Sequence, residues 1–286
     1  MTFNSPLRYP GGKNKLSRFI ASICEKNNVT GHYVEPYAGG ASVALYLLLN
    51  GYVKEITIND LDRSVYAFWH SILNHTLKFC NRIENTDITI KNWKKFKNIQ
   101  NNKKRASLFE LGFSTFFLNR TNYSGIIDGG MIGGINQTGE YTIDCRFNKK
   151  ELIQRIKRIS KHKNQIHLYN LNALNLIKKI QQKSINKNII FYFDPPYYLK
   201  GPSLYMNYYE QNDHRKVASK IKQIKNAKWI VSYDNVPEIK KIYHSCKKKE
   251  YSLVHTAYKV HQGEEVLFFS NNLKVPRIIQ PIAIPS

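Results

Sequence analysis

Asp194-Pro195-Pro196-Tyr197 closes the run Ile189-Ile190-Phe191-Tyr192-Phe193, which reads as a fully buried strand. Proline cannot extend a sheet ladder and fixes φ near about −65°. The Asp194 carboxylate and the Pro195 carbonyl are therefore two acceptors in a preset geometry. In parallel α/β sheets, ligands bind beyond the carboxyl ends of the strands, where this corner lies. An exocyclic amine presents two N–H donors, so two fixed acceptors can hold it and aim its lone pair. Tyr197 adds a ring on which a planar base can stack. The chemistry that fits is methylation of a poorly nucleophilic aromatic amine. Acceptors at its N–H groups stabilise positive charge as it develops on nitrogen, and alignment with an electrophilic methyl supplies much of the rest. A strand end carrying a chance Asp is the plain alternative.

A second segment, Glu35-Pro36-Tyr37-Ala38-Gly39-Gly40, carries a strand-like run into a glycine turn and then a helical run. That arrangement brings backbone against a nucleotide-like ligand. Gly-x-Gly-x-x-Gly is missing, so NAD and FAD are not supported. Asp60 follows the next strand-like run, where a carboxylate can accept both hydroxyls of a ribose. A third segment, Arg8-Tyr9-Pro10-Gly11-Gly12-Lys13, has the look of a phosphate loop. Its first glycine is missing, Asn14 follows Lys13, and no strand precedes it, so Walker-type ATP binding is rejected. Cys24, Cys80, Cys145 and Cys246 include no Cys-x-x-Cys pair, and the nine histidines show no ligand spacing. No disulfide framework and no metal site are expected.

These residues need elements to position them. Residues 32–35, 54–58, 165–169, 188–193 and 228–232 read as strands, and residues 41–49, 65–73, 108–118, 174–181 and 217–224 as helices. Residues 251–258 and 265–270 read as an antiparallel pair at the sheet edge. The order strand, turn, helix, strand argues for an α/β fold with a parallel sheet. The alternation breaks in the middle. Residues 91–105 are basic without one acid, and residues 119–148 form a long Gly-, Asn- and Thr-rich loop, of the kind that carries function when ordered. The expected organisation is a core from residues 1–60 and 161–286, with a smaller, mostly helical and loop-rich insertion at 61–160.

Lys and Arg total 44 against 20 acids, a formal net charge of +24. A field of that size favours a polyanionic partner. Coding bias can inflate Lys, but it does not explain the shortage of acids. With 286 residues and 42% hydrophobic content the chain can bury a large core. No apolar run approaches the roughly 20 residues that span a bilayer, and the first residues lack a signal-peptide pattern. An intracellular protein with no membrane partner is expected.

Taken in order, Tyr9 to Lys13, Glu35 to Gly40, Asn59-Asp60 and Asp194 to Tyr197 resemble the motif set of the Dam-like (D12 class) adenine-N6-specific DNA methyltransferases. That family opens with aromatic-x-Gly-Gly-Lys, continues with a Glu-Pro-aromatic-x-Gly turn and an acid after the second strand, and later carries Asp-Pro-Pro-Tyr. The resemblance implies a Rossmann-like, S-adenosylmethionine-dependent methyltransferase sheet with a target-recognition insertion. It implies methyl transfer to N6 of an adenine flipped out of duplex DNA, at Asp194, Pro195, Pro196 and Tyr197. It also implies that Tyr9, Gly11, Lys13, Asp60, Asn172 and Asp194 lie against S-adenosyl-L-methionine, with Glu35, Pro36, Ala38 and Gly39 at its methionine end. Asn172 stands where many relatives place an Asp, and Tyr9 where some have Trp.

Residues 117–125 resemble the family's entry into the recognition region. Arg120 and Asn119 are candidates for reading base edges, since Arg pairs with guanine and Asn with adenine bidentately. Tyr123 either wedges between base steps or packs beneath the loop. Lys94, Lys95, Lys97, Arg105, Arg146 and Lys149 are candidates for phosphate contacts. Asp213-His214 and residues 229–233 match motifs flanking the base pocket. The expected partner is double-stranded DNA, with a cognate restriction endonuclease as a second candidate. The chain is expected as a monomer in a prokaryotic or phage-encoded, cytoplasmic setting. Two other readings stay open: a methyltransferase acting on RNA, and a catalytically inactive DNA-binding relative, against which the intact Asp194 to Tyr197 speaks.

Overall fold

The computed structural model describes residues 4–8, 13–183, 188–198, 209–255 and 261–277. Tyr9 and Gly11, both expected against the cofactor, lie outside the described residues. Seven strands form one sheet: β1 (His32–Glu35), β2 (Glu55–Asn59), β3 (Ile166–Tyr169), β4 (Ile189–Phe193), β5 (Lys228–Asp234), β6 (Lys247–His255) and β7 (His261–Phe269). Their order is β3-β2-β1-β4-β5-β7-β6. The first five run parallel, and β7 is antiparallel to both β5 and β6. The order reverses between β1 and β4, the switch point at which such sheets open a crevice beyond their carboxyl ends.

Successive strand residues point to opposite faces, and helices cover both, so β1 and β4 are buried along their whole length. Tyr33, Ile190, Tyr192, Ile230, Leu267 and Phe269 enter one buried cluster with residues of α1 (Ser17–Lys26), α2 (Ser42–Leu49) and α3 (Arg63–Asn74). Val34, Ile189, Phe191, Phe193, Val231, Val266 and Phe268 enter the second, with residues of α8 (Ala173–Lys183), α9 (Gln211–Lys222) and α10 (Pro237–Ile242). The strands fall within a residue or two of their expected positions up to β5. The expected antiparallel pair exists, but its two members differ in place: β7 lies inside the sheet between β5 and β6, and only β6 is at the edge. Val266 to Phe269 are buried on both faces, which an edge strand with one covered face would not require.

Between β2 and β3 the chain builds α3, α4 (Thr76–Glu84), α5 (Ile90–Asn101), α6 (Leu108–Thr121) and α7 (Lys149–Ser160). α6 is buried nearly all round, from Leu111 to Leu118 without interruption. α3 crosses it at Gly112, where a Cβ would fall 2.3 Å from the Ala67 carbonyl oxygen and 2.5 Å from Ser71 Oγ. The basic stretch at 91–105 is largely α5: Phe96 and Gln100 turn inward one turn apart, and Thr89 caps the helix by accepting from Asn92 N. α7 buries Leu152, Ile156 and Ile159 along one stripe, with Asn148 capping through Glu151 N. Phe79, Phe96, Phe113, Phe116, Phe117 and Phe147 join these helices to the cluster on the first face of the sheet. The insertion and the sheet thus share a core. No helix among the described residues is long and apolar enough to cross a membrane.

Candidate active site

β4 delivers Asp194 at its carboxyl end. Lys13, 4% exposed, reaches into the same point from the N-terminal segment. Its Nζ lies 3.0 Å from Asp194 Oδ1 and 3.7 Å from Glu265 Oε2, and donates to Tyr197 OH at 2.8 Å. From β5, Ser232 Oγ donates to the same Asp194 Oδ1 at 2.7 Å, and Tyr192 OH donates to Ser232 Oγ at 3.0 Å. Tyr197 OH donates to Glu265 Oε1 at 2.5 Å, and Tyr251 OH donates to Glu265 Oε2. Two donors therefore fix one carboxylate oxygen of Asp194. The other, Oδ2, takes no donor among the described residues and is the oxygen left to accept. Burial raises the Asp194 pKa, and Lys13 opposes the rise. Burial alone would lower Lys13, but Asp194 and Glu265 hold it well above the ordinary lysine range, so its charge is secure. Pro195, Pro196 and Tyr197 are buried, and Lys13 sits 4.9 Å from the centre of the Tyr197 ring. The Tyr197 hydroxyl is committed to this network, whereas Tyr198 next to it is half-exposed.

β1 delivers Glu35, which accepts from Tyr33 OH at 2.9 Å and from Ala44 N at 3.1 Å. Burial pushes its carboxyl up to about 8 against those two hydrogen bonds. The chain then turns sharply, with left-handed φ values of 46° at Gly39 and 48° at Ala41. Asn59, at the end of β2, holds the turn: its Nδ2 donates to the carbonyls of Pro36 and Leu171, both at 2.9 Å, while its Oδ1 accepts from Leu171 N. Trp69 Nε1 donates to the Gly39 carbonyl at 2.9 Å. Asp60 Oδ2 accepts from Gly39 N at 3.0 Å and Oδ1 from Asp62 N at 2.9 Å. Burial moves this half-buried carboxyl up to about 7. Asn172 is exposed and accepts from Leu174 N at 2.9 Å, which caps α8. Three carboxylates thus stand at the carboxyl ends of adjacent strands around a tight turn. These acceptors suit a ligand that brings hydroxyls and positive charge, which S-adenosylmethionine does through its ribose, amino group and sulfonium.

The recognition candidates separate by exposure. Asn119 is 1% exposed, and its amide is used inside the fold: it accepts from Arg8 N at 2.7 Å and donates to the carbonyls of Arg8 at 2.5 Å and Gly125 at 2.7 Å. Its side chain supports the loop rather than facing outward. Asn122, which the sequence did not single out, does the same: its Nδ2 donates to the carbonyls of Ile126, Ile127 and Gly129, and its Oδ1 accepts from Trp93 Nε1 at 2.6 Å. Tyr123 is 49% exposed, with its hydroxyl accepting from Gly133 N at 3.2 Å. Arg120 Nε donates to the Arg146 carbonyl at 2.8 Å, and the exposed Arg146 guanidinium lies 5.7 Å from the Tyr141 ring centre. Lys94, Lys95 and Arg105 are exposed; Lys97 pairs with Asp128 at 3.5 Å, and Lys149 donates to the Glu84 carbonyl at 2.7 Å. Asp213 belongs to the capping box of α9, and His214 is buried with its Nδ1 2.9 Å from Tyr233 OH. Glu265 was missed altogether. Its signal was parity: Glu265, Leu267 and Phe269 share one strand face, so the acid points inward.

A mostly parallel seven-stranded sheet with one inserted antiparallel strand, carrying this acid-lined turn at its switch point, defines the Rossmann-like class of S-adenosylmethionine-dependent methyltransferases. Within that class the chain belongs to the D12 class N6 adenine-specific DNA methyltransferase family, whose sequence model matches residues 9–262. It is 24% identical over 230 residues to the Type II methyltransferase M.MjaIII of Methanocaldococcus jannaschii, covering 74% of this chain and 76% of that protein. Among solved structures it is similar to a candidate RNA methyltransferase from Pyrococcus horikoshii, at 11% identity, a TM-score of 0.42 and coverage of 92% and 86% of the two chains. It is also similar to the rRNA methyltransferase aviRa from Streptomyces viridochromogenes, at 8% identity, a TM-score of 0.41 and the same coverage of 92% and 86%. At those scores the two structures carry no weight on substrate.

Proposed function

We propose that this methyltransferase acts site-specifically on DNA, placing a methyl group on N6 of an adenine flipped out of the duplex. The observation that carries the reading is the Asp194 corner, where one carboxylate oxygen is locked by Lys13 and Ser232 and the other is open to an amine. S-adenosylmethionine, bound at the β1 turn, supplies an electrophilic methyl. In this reading Asp60 accepts its ribose hydroxyls, while Lys13, Glu35, Pro36, Ala38 and Gly39 shape its site. Asp194 Oδ2 and the Pro195 carbonyl accept hydrogen bonds from the two amine N–H groups, turn the nitrogen lone pair toward the methyl, and stabilise the charge that develops there. No strong base is needed, because the methylated amine is acidic until it loses its extra proton. Pro196 keeps the corner rigid, and Tyr197, buried behind it, holds Lys13 and Glu265 in place through its hydroxyl.

Residues 61–160 serve, in this reading, as the target-recognition insertion. Flipping a base costs a few kcal/mol, and an exposed ring at the insertion entrance, Tyr123, is suited to fill the gap left in the stack. The net charge of +24 matches a duplex polyanion. The test is incubation with labelled methyl donor and mixed-sequence duplex DNA, followed by nucleoside analysis. Label in N6-methyladenine supports the reading; label only in RNA, or in no nucleic acid, overturns it.

A further inference from the structure

Four arginines from separate stretches meet where the N-terminal segment touches the insertion. Arg8 precedes the Lys13 segment, Arg120 lies in the last turn of α6, Arg146 in the loop and Arg155 in α7. Their surroundings are built. Asn119 grips the Arg8 backbone from both sides, accepting from its N at 2.7 Å and donating to its carbonyl at 2.5 Å. Gly125, at φ +76°, presses so closely that a Cβ would fall 2.3 Å from the Arg8 carbonyl oxygen. Arg120 Nε is tied to the Arg146 carbonyl at 2.8 Å, and Arg155 Nη1 to the Ser5 carbonyl at 2.9 Å.

Negative charge does not match this density of cations. Glu151, the acid beside the group, is bound to Arg155 and has a half-exposed side chain. Arg8 Nη1 is buried without a hydrogen-bond partner among the described residues. Burial and then the neighbouring Arg8, Arg155 and Arg146 lower the Arg120 pKa to about 9, despite Glu151. Burial and Arg146 likewise lower Arg8. A fold does not gain from holding guanidiniums together with a buried donor unsatisfied. An anion arriving from outside would satisfy both.

We propose that Arg8, Arg120 and Arg146 form a socket for one backbone phosphate of the nucleic acid. A phosphodiester offers the oxyanion geometry that guanidinium forks match. The tied Arg120 Nε and the buried Arg8 Nη1 suit a group met at fixed depth, so the socket reads charge rather than base identity. Arg8 lies five residues before Lys13, which puts their Cα atoms within about 18 Å. This inference rests on the reading of duplex DNA as substrate.

The test uses the full chain with Arg8→Gln and Arg120→Gln, titrated with duplexes of unrelated sequence over a range of salt. Binding should weaken on the order of 10-fold, equally for every sequence. The slope of log affinity against log salt should become shallower by about 0.9 for each lost phosphate contact. Stabilisation by inorganic phosphate, read as a melting-temperature rise in the wild type, should shrink in both variants. An unchanged salt slope, or a loss confined to one sequence, overturns the socket. Binding of the methyl donor reports whether each variant is folded; should either not fold, Arg146→Gln, whose side chain is exposed, gives the same readouts. Wild-type adenine methylation with unchanged slopes in the variants sinks the socket alone. A shallower slope without any wild-type DNA methylation sinks the substrate reading alone.

Discussion

One lysine serves two acids at the Asp194 corner. Removing it leaves Asp194 and Glu265 buried without their cation, and breaking a buried pair in this way costs about 3–5 kcal/mol. Lys13→Met should lower stability by that amount, read as an earlier midpoint in urea. At the end of β2, burial moves the Asp60 carboxyl up to about 7 from its ordinary 3.8. The folded protein therefore favours the neutral acid, and the stability this contributes is complete below 3.8 and lost as pH rises through about 7. Ribose hydroxyls donate to the charged form instead. Donor affinity should thus rise with pH up to about 7 and then level off, and calorimetric titration of Asp60→Asn should show that part of the rise gone. Asp194, Lys13, Glu35 and Asp60 were legible because each ends a strand or sits in a short motif. Glu265 was not, because its cation comes from the opposite end of the chain. Asn119 was legible as a motif residue but not as a latch, since the Arg8 backbone it holds is equally remote in sequence.

Among the elements, β1, β2, β4 and β5 were readable because both sheet faces are covered and nearly every residue of these strands is buried. α5 and α7 were hidden for the opposite reason: Lys and Asn crowd the outer face of α5 and Lys and Arg that of α7, and only narrow inward stripes, Phe96 with Gln100 and Leu152 with Ile156 and Ile159, mark them. The place of β7 inside the sheet follows from its pairing with β5, which local spacing does not encode. The crossing of α3 and α6 depends on Gly112 having no side chain. Gly112→Ala should push the two helices apart and destabilise by about 1–3 kcal/mol, with the urea midpoint lowered. Activity lost in proportion to unfolding, and restored by cooling, would mark the defect as one of packing.

On the scale of the whole molecule, a charge of +24 surrounds a sheet and an insertion that share one core. That shared core transmits position: the segment entering the insertion is latched to Arg8, five residues from the lysine that holds Asp194. Tyr123 stands exposed at this junction. Tyr123→Ala should reduce kcat/KM on matched duplex DNA by about 10-fold or more, and much less on a duplex whose target adenine is mispaired, where unpairing is already cheap. Equal losses on both substrates would remove Tyr123 from the flipping step. The most direct measurement is nucleoside analysis of duplex DNA after reaction with labelled methyl donor, run with wild type and Asp194→Ala side by side. The prediction is label in N6-methyladenine with the wild type and background with Asp194→Ala, both proteins still binding the donor. Label on another atom, or equal N6-methyladenine from both proteins, would contradict it.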